Sequence, residues 1–154
     1  MANQPKFKIG VFGIILDDQN RILLCHRTDR DLWNLPGGGM EKGETPWQGV
    51  VREVKEETGL EIKVEKMTGV YSKPDQDMIA FAFLCTITGG NMMLTNESDK
   101  IEYFKFIELP ENLSPKQVER IKDALVQNEI LMKTQKGPSS KQLVERGEYD
   151  DSDL

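Results

Sequence analysis

The chain is short of cysteine, histidine and positive charge, and it has no long apolar run. Its 154 residues hold two cysteines and one histidine. Cys25 and Cys85 each lie inside an apolar stretch, and neither belongs to a C-x-x-C pair or to a Cys with nearby His and Asn. Both therefore read as reduced, buried thiols rather than as a disulfide or a nucleophile. His26 follows Cys25 directly, so on an extended strand the two side chains point to opposite faces. It reads as a surface or packing residue. Basic residues number 20 against 26 acidic ones, for a net charge of −6. Such a chain has no general attraction for nucleic acid or anionic lipid, and an anionic substrate needs cations gathered locally. No apolar signal region opens the chain at Met1–Pro5, and no run is long enough to span a membrane. The expectation is a cytoplasmic protein. No solenoid-type repeat is present, and the length suits one domain with its own core.

What is present in quantity is acid, and it is concentrated in one stretch. Gly38 to Leu60 reads GGMEKGETPWQGVVREVKEETGL. Thr45, Pro46 and Gln48 form an N-cap, a first-turn proline and a capping-box partner, and Gly59 is a helix stop. Between them Trp47, Val50, Val51, Val54 and Thr58 make a largely apolar stripe that suits a core. Glu53, Glu56 and Glu57 stand at i, i+3 and i+4 on another flank. Like charges at that spacing oppose helix formation by a few tenths of a kcal/mol per pair. A hard divalent cation, which prefers carboxylate oxygens, would remove the repulsion. Gly49, a glycine inside the helix, points to close approach by another group. The run Leu35-Pro36-Gly37-Gly38-Gly39 brings unshielded backbone next to the acids.

These residues resemble the Nudix hydrolase signature, G-x5-E-x7-R-E-U-x-E-E-x-G-U with U aliphatic. Gly38, Glu44, Arg52, Glu53, Val54, Glu56, Glu57, Gly59 and Leu60 fill every fixed position. The likeness extends weakly over Phe7 to Asn128, through Trp33–Gly38 and Glu108-Leu109-Pro110. It implies a mixed α/β (α+β) fold, an α/β/α sandwich with a mixed, curved sheet and a catalytic loop-helix-loop. It implies a pyrophosphohydrolase that uses magnesium or manganese on a nucleoside diphosphate linked to another moiety. Glu53, Glu56 and Glu57 become the metal ligands, joined by the backbone carbonyl near Gly38. Glu44 assists from the loop, and Arg52 orients a signature glutamate through a salt bridge. Relatives draw the general base from a signature glutamate or from a later loop. Counting back from Glu108 puts Glu97 where some relatives carry an additional acidic ligand or base, ahead of Asp75, Asp77 and Asp99. A homodimer is also implied.

For the substrate, Arg27 or Arg30 in the charged loop 27–31 is a candidate phosphate grip. Trp33, Tyr71 or Phe81 is a candidate base-stacking ring, though packing is the commoner use of such residues. Pro74 and Tyr71 stand off the registers that mark ADP-ribose and dinucleoside-polyphosphate members. The reading leans to ADP-ribose or a nucleotide sugar. The alternatives are ordinary or oxidised nucleoside triphosphates, dinucleoside polyphosphates, and a nucleotide sensor that does not hydrolyse.

The remaining patterns predict strands at 6–16, 21–26, 62–71, 78–87, 92–94 and 101–107. The first two pair as a hairpin, 78–87 is central, and Thr88–Asn91 is a hairpin turn. Ser114-Pro115 opens a second helix to about Asn128, with Val118, Ile121, Leu125 and Val126 inward. Ile130–Met132 adds a little packed structure. The domain spans 1–136, and 137–154 is expected to be a flexible acidic tail.

Overall fold

The computed structural model describes residues 6–126 and 128–138. The strands are β1 (Lys8–Ile15), β2 (Ile22–Arg27), β3 (Trp33–Asn34), β4 (Gly37–Gly39), β5 (Leu60–Lys73), β6 (Met78–Gly90), β7 (Ser98–Phe104) and β8 (Leu131–Thr134). The helices are α1 (Pro46–Thr58) and α2 (Pro115–Val126). One sheet runs β4-β1-β6-β5-β8 and the other β3-β2-β7. The first is mixed: β1 lies parallel to β6, β5 antiparallel to β6, and β8 parallel to β5.

Strand alternation divides the core in two. Val11 and Ile15 of β1 join Val50 and Val54 of α1 with Leu60, Ile62 and Phe83. Ile14, from the opposite face of β1, joins Tyr71, Ala80, Ala82 and Ile121 of α2. The helices thus cover opposite faces of the mixed sheet, and each supplies a wall to the cavity described below.

α1 forms as its sequence predicts. Thr45 and Gln48 close the reciprocal capping box, Pro46 sits in the first turn, and Gly59 ends the helix at φ 77°. Trp47 departs from the predicted core stripe and is 55% exposed. Its indole lines an open groove with Val51 and Val64.

Four other expectations change. β1 and β2 enter different sheets and share only the Leu16–Ile22 bridge, so they are not a ladder-paired hairpin. Thr88–Gly90 is strand rather than turn, because β6 pairs through to Leu60 opposite Gly90. There the backbones of Gly59 and Gly90 come so close that a Cβ on Gly90 would lie 2.4 Å from the Gly59 carbonyl oxygen. The following Met92–Leu94 is irregular, and Met93 N–H returns to the Thr58 carbonyl at the end of α1. β7 begins at Ser98, and residues 106–108 form a 3-10 turn. Ile130–Met132 overlaps β8, an edge strand on β5. At the start of the expected tail, Gly137 accepts hydrogen bonds from Gln76 and Lys116. The tail beyond Pro138 lies outside the described residues. No helix among the described residues is long and apolar enough to cross a membrane.

Candidate active site

A cavity of about 600 Å³ opens between the sheets and the two helices. Glu53 and Glu57 reach it from α1, one turn apart on the same flank. Glu97 reaches it from the loop before β7. One oxygen from each of these three carboxylates lies within 4.8 Å of the others.

The loop holding Glu97 is tied down on both sides. Thr95 Oγ1 donates to the Glu57 carbonyl and accepts from the backbone N–H of Glu97 and Ser98. Thr28 Oγ1 donates to the Asn96 carbonyl at 2.8 Å, and Thr28 N–H to the Glu97 carbonyl at 3.3 Å. Two residues on, Asp99 bonds His26 Nδ1 at 2.7 Å, while His26 Nε2 meets Asp31. His26, on β2, is therefore a clamp between the loop at Asp31 and the start of β7 at Asp99, a role its isolated position in the sequence does not announce. Burial would lower its pKa, but the bonds to Asp31 and Asp99 outweigh that and raise it.

Arg52 organises the outer half of the acidic wall. Its Nε and Nη2 donate to Glu44 at 3.0 and 2.8 Å, and Nη1 donates to Glu53 at 2.9 Å. Nη1 also reaches Glu56 at 3.2 Å, and Nη2 the Gly39 carbonyl at 2.9 Å. The Arg52 bond, with help from Glu41 N–H, lowers the Glu44 pKa. Glu44 is also the group that approaches Gly49, where an added Cβ would lie 3.0 Å from Glu44 Oε1.

The structure does not group the three signature glutamates as the sequence reading does. Glu56, 48% exposed at its side chain, sits on Arg52 outside the carboxylate trio. Glu97 stands in the trio instead. At i+3 from Glu53, Glu56 turns towards the flank that Arg52 occupies, whereas i+4 keeps Glu57 above Glu53.

The trio fits a hard divalent cation. All its donors are carboxylate oxygens, the set that magnesium and manganese prefer. Burial foremost, opposed by Gly37 N–H, and then the charges of Glu53 and Glu97 push the Glu57 pKa up to about 9. Burial likewise raises Glu53, against the pull of Arg52. Negative charge is thus crowded where a cation would relieve it. Gly38 leaves room beside the trio: a Cβ there would fall 2.7 Å from Glu53 Oε2.

The substrate candidates fare differently. Arg27 lines the cavity, but its guanidinium already forks onto Asp29 at 2.7 and 2.6 Å. Arg30 lies beside the same Asp29, at 3.7 Å. Tyr71 is fully buried and donates its hydroxyl to Asp123, which takes it out of reach of a base. Trp33 is buried edge-on between His26 and Phe104. Phe81 stacks on Phe83. Tyr71 and Trp33 sit on covered strand faces, and Phe81 is half-buried against Phe83, which is why they pack rather than bind. Phe12 is the aromatic ring that lines the cavity. Among the lesser acids, Asp75 caps Gly137 N–H, Asp77 ends a 3-10 turn, and Asp99 holds His26; none joins the trio. Cys25 borders the cavity as a free buried thiol, held protonated by burial with a pKa near 12.

Sequence reasoning missed the wall opposite the acids. Lys73, Lys116 and Arg120 line it, with Ser114 and Gln117. Arg120 carried a signal, since it neighbours Ile121 on the inward face of α2, where a charge is rare without a reason. Lys73 carried none.

Comparison with known proteins identifies the family. The NUDIX domain profile matches residues 6–126. A MutT-like protein of Streptomyces ambofaciens is 36% identical over 124 residues, 80% of each chain. An ADP-ribose pyrophosphatase of Methanocaldococcus jannaschii is 41% identical over 109 residues, 66% of this chain and 64% of that one. Among solved structures, a NUDIX hydrolase from Nitrosomonas europaea superposes with a TM-score of 0.76 at 23% identity, covering 88% of this chain and 82% of that one. The chain belongs to the NUDIX family and is a pyrophosphohydrolase of the Nudix class.

Proposed function

We propose that this chain is a magnesium- or manganese-dependent hydrolase of ADP-ribose or a related nucleotide sugar. The observation that carries the reading is the convergence of Glu53, Glu57 and Glu97 on one cavity. The 41% identity to an ADP-ribose pyrophosphatase supports the substrate class. The reaction adds water across one phosphoanhydride bond and yields two phosphate monoesters, here AMP and ribose 5-phosphate.

Glu53, Glu57 and Glu97 would hold the metal, with the backbone at Gly38 beside them. A bound divalent cation supplies neutralisation of the pyrophosphate charge and acidity to a water. Arg52 fixes Glu53 through the bond at 2.9 Å and spends its other donors on Glu44, Glu56 and Gly39. It is a positioning residue. Glu56 sits within one turn of the trio and joins it if its Arg52 bond is exchanged for a ligand. Thr28, Thr95 and His26 hold the Glu97 loop at a fixed distance from α1. Glu97 serves either as a ligand or as the group that takes the water proton. The reduced thiols and acidic surface suit the cytoplasm, and assembly as a homodimer is part of the same proposal.

The test is hydrolysis of a panel by the pure protein with magnesium: ADP-ribose, nucleotide sugars, dinucleoside polyphosphates, 8-oxo-dGTP and ordinary triphosphates. AMP and ribose phosphate from ADP-ribose, lost in Glu57→Gln and in chelator, is the expected result. A monophosphate and pyrophosphate from a triphosphate would move the assignment to triphosphate hydrolysis. Tight binding with no turnover of any compound would replace the enzyme with a sensor.

A further inference from the structure

The basic wall of the cavity is costly to build. Lys73 is 7% exposed and Arg120 2%, and among the described residues neither they nor Lys116 form an ion pair. Among the described residues, the one hydrogen-bond partner of Lys73 Nζ is the Met78 thioether at 3.4 Å. Lys116 Nζ donates to the Gly137 carbonyl at 2.6 Å. Arg120 donates from Nε and Nη2 to the amide oxygen of Gln135, and its guanidinium lies over the rings of Phe12 and Tyr71 at 4.9 and 5.4 Å. Asp75, whose charge both lysines feel, is engaged with Gly137 N–H. The hydrogen-bond partners of these cations are neutral, and Asp75 and Glu119 act on them only through space. Buried charge of one sign is retained at a cost to stability and calls for an anion.

Position separates this wall from the carboxylates. Lys73 ends β5, two residues beyond Tyr71 and on the same face, the face that α2 covers. Lys116 and Arg120 lie on α2, whose first turn, with Ser114 and Gln117, also borders the cavity. Glu53 and Glu57 come from α1, on the other side of the mixed sheet, and Glu97 from the loop before β7. No ion pair joins the two sets among the described residues. An anion held by Lys73, Lys116 and Arg120 would stand on α2 and the end of β5, in the same cavity as a cation on the trio.

We propose that Lys73, Lys116 and Arg120 form a subsite for a phosphate monoester carried by the substrate away from its scissile pyrophosphate. The inference rests on the pyrophosphohydrolase reading for the position of that pyrophosphate. A monoester dianion matches a wall of ammonium and guanidinium donors, and charge-assisted hydrogen bonds would replace the contacts to neutral atoms. Free inorganic phosphate has the same chemistry, so the experiment separates the two sources.

Two substrate pairs differ by one phosphate monoester: NADPH with NADH, and coenzyme A with dephospho-coenzyme A. The quantity read is the ratio of kcat/KM within each pair, in wild type, Lys73→Met and Lys116→Gln. Calorimetric affinities of the same pairs for the metal-free protein give that ratio without turnover. Inorganic phosphate is titrated alongside, and circular dichroism checks the fold of each variant. In wild type the phosphorylated member of at least one pair is favoured by about tenfold or more, and either variant brings the ratio close to one. If turnover fails for every compound but the calorimetric ratio behaves this way, the subsite stands and the pyrophosphohydrolase reading falls. Phosphate binding that Lys73→Met weakens, with ratios near one in wild type, overturns the substrate-borne monoester in favour of free phosphate. Ratios near one and no phosphate binding sensitive to either variant overturn the subsite altogether.

Discussion

Lys73→Met should make the protein more stable at neutral pH, although it removes a charged side chain from the cavity. Burial, reinforced by Arg120 and Lys116, holds the Lys73 pKa near 8 against an ordinary 10.5. At about 1.4 kcal/mol per pKa unit, that gap is a penalty of about 3 kcal/mol for keeping the ammonium in the fold. Methionine keeps most of the aliphatic stem, loses the contact with Met78 and carries no charge, so a net gain of about 2 kcal/mol is reasonable. For a chain of this size that is a rise in Tm of about 4–8 °C. The pH dependence has a definite sign. Below pH 8 the lysine is charged in both folded and unfolded chains, and the whole penalty is present. Between about 8 and 10.5 the folded chain gives up its proton while the unfolded chain keeps it, so the penalty shrinks. The stability gap between variant and wild type should therefore be widest near pH 7 and closed by about pH 10.5. Denaturant unfolding at pH 7, 9 and 10.5 measures it directly. A variant equal to or weaker than wild type at pH 7, or a gap that does not narrow on alkalinisation, would refute an unneutralised buried cation at this position. Adding inorganic phosphate should raise the stability of wild type more than that of the variant.

Glu97→Gln should lower the catalytic rate at least about tenfold with the fold intact, and a metal titration identifies its role. A ligand lost raises the metal needed for half-maximal rate, whereas a base lost lowers the rate at saturating metal; an unchanged rate removes Glu97 from the site. Arg52→Gln leaves Glu53 without its holder and should raise the half-saturating magnesium concentration by about 10–100-fold, with Arg52→Lys recovering only part because it lacks the fork. Equal magnesium requirements in wild type and Arg52→Gln would show that the ion network does not position the ligand. His26 contributes stability that is complete below its unfolded pKa of about 6.5 and is lost as pH rises through its raised folded value. Thermal unfolding between pH 5.5 and 8.5 should show a fall that His26→Gln flattens, and an unchanged slope would count against the Asp31–His26–Asp99 clamp.

Local chemistry settled the signature helix before any tertiary contact is considered. Thr45, Pro46, Gln48 and Gly59 act within a turn of where they stand, and the i, i+4 spacing alone sets Glu57 above Glu53. The glycine at 49 likewise announced a neighbour, and Glu44 is that neighbour. Sequence also carried the central place of β6 and the second helix, because apolar periodicity reports which faces are covered, while the mixed fold came through the resemblance of the signature. Tertiary structure decided whatever depends on residues far apart in the chain meeting in space. Glu97 enters the trio because Thr95 ties its loop to α1 and Thr28 ties it to the end of β2, while Glu56, inside the signature, is left on Arg52. Tyr71 and Trp33 became packing residues because both lie on covered strand faces. The basic wall joins the end of β5 to α2 across one face of the sheet. No local spacing encodes that meeting, since side chains from separate elements become neighbours only when sheet register and helix packing place them so.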